Sequence, residues 1–161
     1  MLQRAVRTVK NEKGLTLIEL LAVVVILGII AAIAIPAIGG LIDNSKKDAH
    51  VANAVQMINS AKLMVVGDDT KRPDVEKPDV AVEITLKDLV DEGYLEPVRD
   101  PDTNKTDTYN ETESKVYVKF VTGSTTQFEY SVILQNAKRA VKTEAGGAVA
   151  EADVARSSVR E

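Results

Sequence analysis

Apolar and polar positions divide the chain into stretches with different periods. From Leu20 to Ile42 there are 23 consecutive residues without a charge. At 1.5 Å rise per residue such a run makes a helix roughly 35 Å long, enough to cross a hydrocarbon core of about 30 Å. From Asp43 the apolar residues thin to helical spacing. Val51, Ala54, Val55, Ile58, Ala61 and Val65 form one stripe, with Asn44, Lys47, Gln56 and Asn59 among the polar remainder. This second half predicts an amphipathic helix that leaves the membrane, lays its stripe on a sheet and stops at Gly67 before Asp68-Asp69.

Beyond the helix the pattern shortens. Residues 68–79 are polar with two prolines and predict a loop. Val80, Val82 and Ile84 alternate and suggest a short strand. Thr85 then opens a short helix over Leu86–Glu92, stopped by Gly93, with Leu86, Leu89 and Val90 facing the core ahead of Tyr94 and Leu95. Two runs carry the cleanest period of two. Val116, Val118 and Phe120 alternate with Tyr117, Lys119 and Val121; Phe128, Tyr130, Val132 and Leu134 alternate with Glu129, Ser131 and Ile133. Gly123-Ser124-Thr125-Thr126 joins them as a hairpin turn. A lone hairpin is marginal, so it needs the helix stripe and a third strand from residues 80–84. The expected fold class is α+β, a long N-terminal α-helix packed against a small antiparallel β-sheet. Its expected divisions are a 1–14 leader, a 15–42 transmembrane and assembly helix, a 43–143 globular head, and a flexible 144–161 tail of low complexity.

Glu19 is the informative residue. A carboxylate inside a membrane helix costs about 2.5–3.5 kcal/mol at the helix centre, and no residue from Leu20 to Ile42 is basic. A cut between Gly14 and Leu15 would free the α-amine of Leu15, a cation four residues before Glu19 and roughly 6 Å away along a helix axis. Gly14 has no side chain to obstruct a protease at that bond. An amine on one subunit and the Glu19 of another would set an axial stagger when helices pack. Thr16-Leu17-Ile18-Glu19 also fits a capping box, with Thr16 as N-cap. Capping is compatible with that role, but explains neither Gly14 nor the basic leader. An ordinary secretory signal cut after Ala34 is a poorer match, because the apolar segment is longer than the usual 7–15 residues and carries an acid.

The basic leader, Gly14, the Thr-Leu-Ile-Glu run and a long apolar helix interrupted by Gly28 and Pro36 closely resemble the prepilin signature of type IV pilins and pseudopilins. The resemblance covers roughly residues 10–66. Leu15 departs from it, since the family most often has phenylalanine there. The run LKDLVDEGYLEP resembles a stretch in major pseudopilins and Gram-positive pilins that precedes an Asp-rich loop. The resemblance implies cleavage after Gly14 by a prepilin peptidase and N-methylation of Leu15. Subunit assembly would then run through Leu15 and Glu19. The Gly28–Pro36 segment, where a proline kink or local opening near residues 32–36 is expected, would melt in the fibre. Small residues such as Ala22, Gly28, Ala31 and Ala32 permit close helix approach. Implied partners are further copies of the chain in a helical homopolymer, other or minor pilins, the prepilin peptidase/N-methyltransferase, membrane lipid before assembly, and an inner-membrane platform with its ATPase. The fibre could serve adhesion, motility, DNA uptake (competence) or type II secretion.

Charge and composition add orientation. The leader carries +3 and the remainder −7, which keeps the leader cytoplasmic and the body translocated, so the fibre would stand on the cell surface. An acidic body is a poor bulk binder of nucleic acid, although Lys138, Arg139 and Lys142 make a small basic patch that leaves direct DNA binding open. The chain has no cysteine, hence no disulfide and no thiolate site. Many pilins of diderm bacteria close a C-terminal loop with a disulfide and Gram-positive ones often lack it. Asp100, Asp102, Asn104 and Glu111 occupy the first, third, fifth and twelfth places of a calcium-loop template, while Lys105 sits where its turn wants glycine. These residues are the candidate Ca²⁺ ligands; an acidic solvated turn is the competing reading. His50, the single histidine, lies outside the stripe and is expected to be solvated. There is no nucleophile–base pair or phosphate loop, so the chain is expected not to be an enzyme. The rival reading is a membrane-anchored or Sec-secreted calcium-binding protein without fibre assembly.

Overall fold

A computed structural model describes residues 16–103 and 108–161. The chain divides into two units at Leu41/Ile42. Helix α1 spans Leu17–Gly67 and continues through Pro36, so the expected local opening at 32–36 is absent. Within the first unit the apolar side chains from Leu17 to Leu41 point into open surroundings; Leu17 is 87 % and Ile33 72 % exposed. Neither Gly28 nor Gly39 has an atom near where a Cβ would stand.

The second unit has its own core. Its strands are β1 (Val82–Thr85), β2 (Lys115–Phe120), β3 (Phe128–Gln135), β4 (Ala140–Val141), β5 (Val149–Ala150) and β6 (Val159–Arg160), with the short helix α2 at Leu86–Asp91. They form one antiparallel sheet in the order β1-β2-β3-β4-β6, with β5 added to β3. The β2–β3 hairpin pairs Val116 with Val132 and Phe120 with Phe128, so the alternating residues Val116, Val118, Val132 and Leu134 share the inner face. Its turn is exposed at Thr125 and uses Gly123 at φ +82°, a left-handed conformation that costs glycine nothing.

Against that face lies the second half of α1, through Ala54, Met57, Ile58, Ala61, Met64 and Val65, all essentially inaccessible. The stripe is therefore rotated slightly from the expected one. Val55 is 37 % exposed, whereas Met57 and Met64 are buried. Full burial of such side chains contributes about 1.5–3 kcal/mol each. Thr85 caps α2 in a complete capping box with Asp88, and Gly93 at φ +77° ends the turn that follows, which places Leu86 and Leu89 in the core. These elements form the expected α+β arrangement of a long helix and a small antiparallel sheet.

The C-terminal segment corrects an expectation. Residues 144–161 were expected as a flexible tail, yet they supply β5, β6 and two short 3₁₀ turns. Val149 and Val159 are buried, Arg156 Nε donates to Asp48 Oδ1 at 2.7 Å, and Glu151 pairs with Lys62. Two-residue strands leave almost no periodic signal, so composition alone misread the segment.

Candidate functional site

Two places concentrate chemistry. At the start of α1 Glu19 folds back on Thr16. Its carboxylate accepts from the Thr16 amide at 2.8 Å and hydroxyl at 2.7 Å, while the Glu19 amide donates to Thr16 Oγ1 at 3.3 Å. The expected capping box is thus formed, and it holds the carboxylate at the exposed end of an apolar helix. Gly14 and Leu15, the expected cleavage and methylation positions, lie outside the described residues. Gly28 and Pro36 lie within the continuous helix.

The second place is a polar cluster inside the head, where α1 meets Asp100, Asp102, Tyr109 and the β3–β4 turn. His50 is 2 % exposed, which corrects the expectation of a solvated histidine. Its Nε2 faces Asp102 Oδ2 at 3.1 Å and its Nδ1 faces the Tyr109 hydroxyl at 2.7 Å, which also accepts from Asn53 Nδ2 at 3.0 Å. A carboxylate only accepts, so Nε2 carries a proton toward Asp102, and in the singly protonated ring Tyr109 O–H donates to Nδ1. The hydrogen bonds then run in one direction, Asn53 to Tyr109 to His50 to Asp102.

Asp102 is surrounded by cations. Arg139 Nη1 stands 3.4 Å and Lys46 Nζ 3.8 Å from Oδ1, and Asn136 Nδ2 3.5 Å from Oδ2. Burial pushes this carboxyl up, but the His50 hydrogen bond, the Arg139 charge and the Asn136 contact together hold it below the ordinary carboxylate range. Burial pushes the Tyr109 hydroxyl far up, aided by the charges of Asp100 and Asp102 and opposed by the Asn53 hydrogen bond, so it keeps its proton. Arg139 also pairs with Asp43 of α1 and reaches Glu161 at 3.3 Å. Its side chain is 4 % exposed, so the expected basic patch of Lys138, Arg139 and Lys142 loses its middle member to the interior.

The calcium-loop residues come together only in part. Asp100 and Asp102 converge, with Asp100 Oδ1 accepting the Asp102 amide at 2.9 Å. Glu111 lies elsewhere: its carbonyl accepts from the Lys87 amide at 3.0 Å, and its carboxylate is not grouped with those of Asp100 and Asp102. Asn104 lies outside the described residues. The donors brought together are two carboxylates and the His50 ring, whereas Ca²⁺ takes six to eight oxygens; among the described residues that oxygen cage is not assembled. Reasoning from sequence missed His50, Asn53, Tyr109 and Arg139. One signal was available, because His50 precedes Ala54, Met57 and Ala61 by four, seven and eleven residues and so shares the face that packs on the sheet.

Comparison of the whole chain with curated proteins and with solved structures gave no match. A family model, described as the prokaryotic N-terminal methylation motif, matches residues 9–35, the segment that holds Gly14, Leu15, Thr16 and Glu19. The chain therefore carries at its N-terminus the signature of type IV pilins and pseudopilins.

Proposed function

We propose that the protein is a structural subunit of a type IV pilus or pilus-like fibre. The observation that carries this reading is the methylation motif leading into an apolar helix whose side chains find no partner among the described residues. An exposed apolar surface of that length is stable only in lipid or against other helices. In the proposed sequence of events the precursor sits in the membrane with its leader inside. A prepilin peptidase cuts after Gly14, and the new Leu15 amine is methylated. An ATPase-driven platform then passes the subunit into the fibre.

Glu19 takes two partners in turn. In the free subunit Thr16 satisfies its carboxylate. In the fibre the Leu15 amine of a neighbour adds a charge-assisted hydrogen bond, and such bonds are roughly twice as strong as neutral ones. Residues 15–42 form the fibre core and the head faces out, in the service of adhesion, motility, DNA uptake or secretion. With Arg139 turned inward and an acidic body, direct DNA contact by this head is the least favoured of those roles.

The N-terminus of the mature protein tests the reading, measured by mass spectrometry of membrane and sheared-surface fractions. A chain beginning at methylated Leu15 and present in sheared material supports it. A chain beginning at Ile35, or an intact Met1, overturns it and favours the secreted or anchored alternative.

A further inference from the structure

We propose that His50, Asp100 and Asp102 form a binding site for a divalent ion of the zinc class, independent of fibre assembly. One ligand atom from each of the three lies within 4.8 Å of the others. His50 Nε2 and Asp102 Oδ2 are 3.1 Å apart. Two ligands on one tetrahedral zinc, each bonded at about 2.0–2.2 Å, stand roughly 3.3 Å from one another. The ion thus takes the place of the proton that now lies between the ring and the carboxylate.

One further observation points to a ligand and not to a hydrogen-bonded latch alone. Asp100 is 6 % exposed, and among the described residues no cation lies in ion-pair range of it. A buried carboxylate in that position calls for a counter-charge, and a latch made by His50 and Asp102 does not provide one. The Asp102 side chain is 1 % exposed, and its Oδ1 is already charge-compensated by Arg139 at 3.4 Å and Lys46 at 3.8 Å. Arg139 thus screens Oδ1 and leaves Oδ2 directed at the ring.

The donor set selects the ion. One imidazole nitrogen with two carboxylates suits Zn²⁺ and its neighbours, while calcium would need more oxygens than converge here. A ligating histidine usually donates its second N–H to a fixed acceptor. Here that acceptor is the Tyr109 oxygen, 2.7 Å from Nδ1. Binding therefore moves the ring proton from Nε2 to Nδ1 and reverses the His50–Tyr109 hydrogen bond. A bound ion would fasten Asp100 and Asp102 onto α1.

The test uses the full chain in detergent, titrated separately with Zn²⁺, Co²⁺ and Ca²⁺. The expected result is one Zn²⁺ per chain, a visible Co²⁺ absorption band, and transfer of the ring proton to Nδ1 seen in the ¹⁵N shifts of His50. His50→Gln should abolish the Co²⁺ band. Asp100→Asn keeps an oxygen for the Asp102 amide and leaves the latch intact, so its fold should persist while Zn²⁺ affinity falls at least tenfold. If His50→Gln does not fold, Asp100→Asn decides alone. The absence of Zn²⁺ uptake, Zn²⁺ uptake unchanged in Asp100→Asn, or Ca²⁺ uptake without Zn²⁺ would each overturn the proposal.

Discussion

The two halves of α1 differ in composition and in what covers them. In Leu17–Leu41 the valines, leucines and isoleucines face outward on every side, while in Ile42–Gly67 one face is closed by a sheet and the other mixes charged and polar residues with the exposed Leu63 and Val66. Among the described residues nothing covers the first half, and on the proposed reading its stability comes from lipid or neighbouring helices. The second is held by packing inside its own unit. A substitution therefore reports on assembly in one half and on folding in the other.

The largest expected effect is Glu19→Ala, which should leave membrane insertion intact and abolish fibres. Normal fibres from that variant, seen by electron microscopy of sheared material, would remove charge pairing from the reading. Next comes Met57→Ala. It opens a cavity under the sheet and should cost about 2–5 kcal/mol of head stability in denaturant unfolding. Val24→Ala on the apolar half should leave that transition unchanged, and equal losses would erase the distinction between the halves.

The two capping boxes give a finer comparison. Thr85→Ala should cost about 1 kcal/mol of head stability, because the amide of Asp88 loses its acceptor. Thr16→Ala, made in the matching motif on the other unit, should leave the head's midpoint alone.

The smallest effect is electrostatic. The Lys47 and Arg139 hydrogen bonds hold Asp43, and the Arg156 hydrogen bond holds Asp48, below the ordinary carboxylate range. As pH falls the unfolded chain takes up these protons first. The contribution is thus fully present above about pH 4, the unfolded value, and is lost as pH drops through the lower folded values. The head's thermal midpoint should fall in acid, and by less in Asp48→Asn than in the parent.

Much of this fold was legible because periodic signals are redundant. The hairpin repeats its alternation over six and eight residues, and α2 is bracketed by Thr85 and Gly93. The apolar run and Glu19 stood out by charge alone. The polar cluster did not, since His50, Asp102, Tyr109 and Arg139 lie far apart in sequence and meet only through the fold. The C-terminal strands escaped for a related reason: β5 and β6 are two residues each, and long-range pairing with β3 and β4 makes them strands.

The β2–β3 turn has a practical consequence. Thr125 is solvent-facing there, outside every strand, and the chain contains no thiol. A Thr125→Cys protein would therefore carry a single site for maleimide chemistry, at a position that tolerates change. If the chain polymerises as proposed, a fluorophore placed there would let individual fibres be followed on living cells, with the apolar helix and the head's core left untouched.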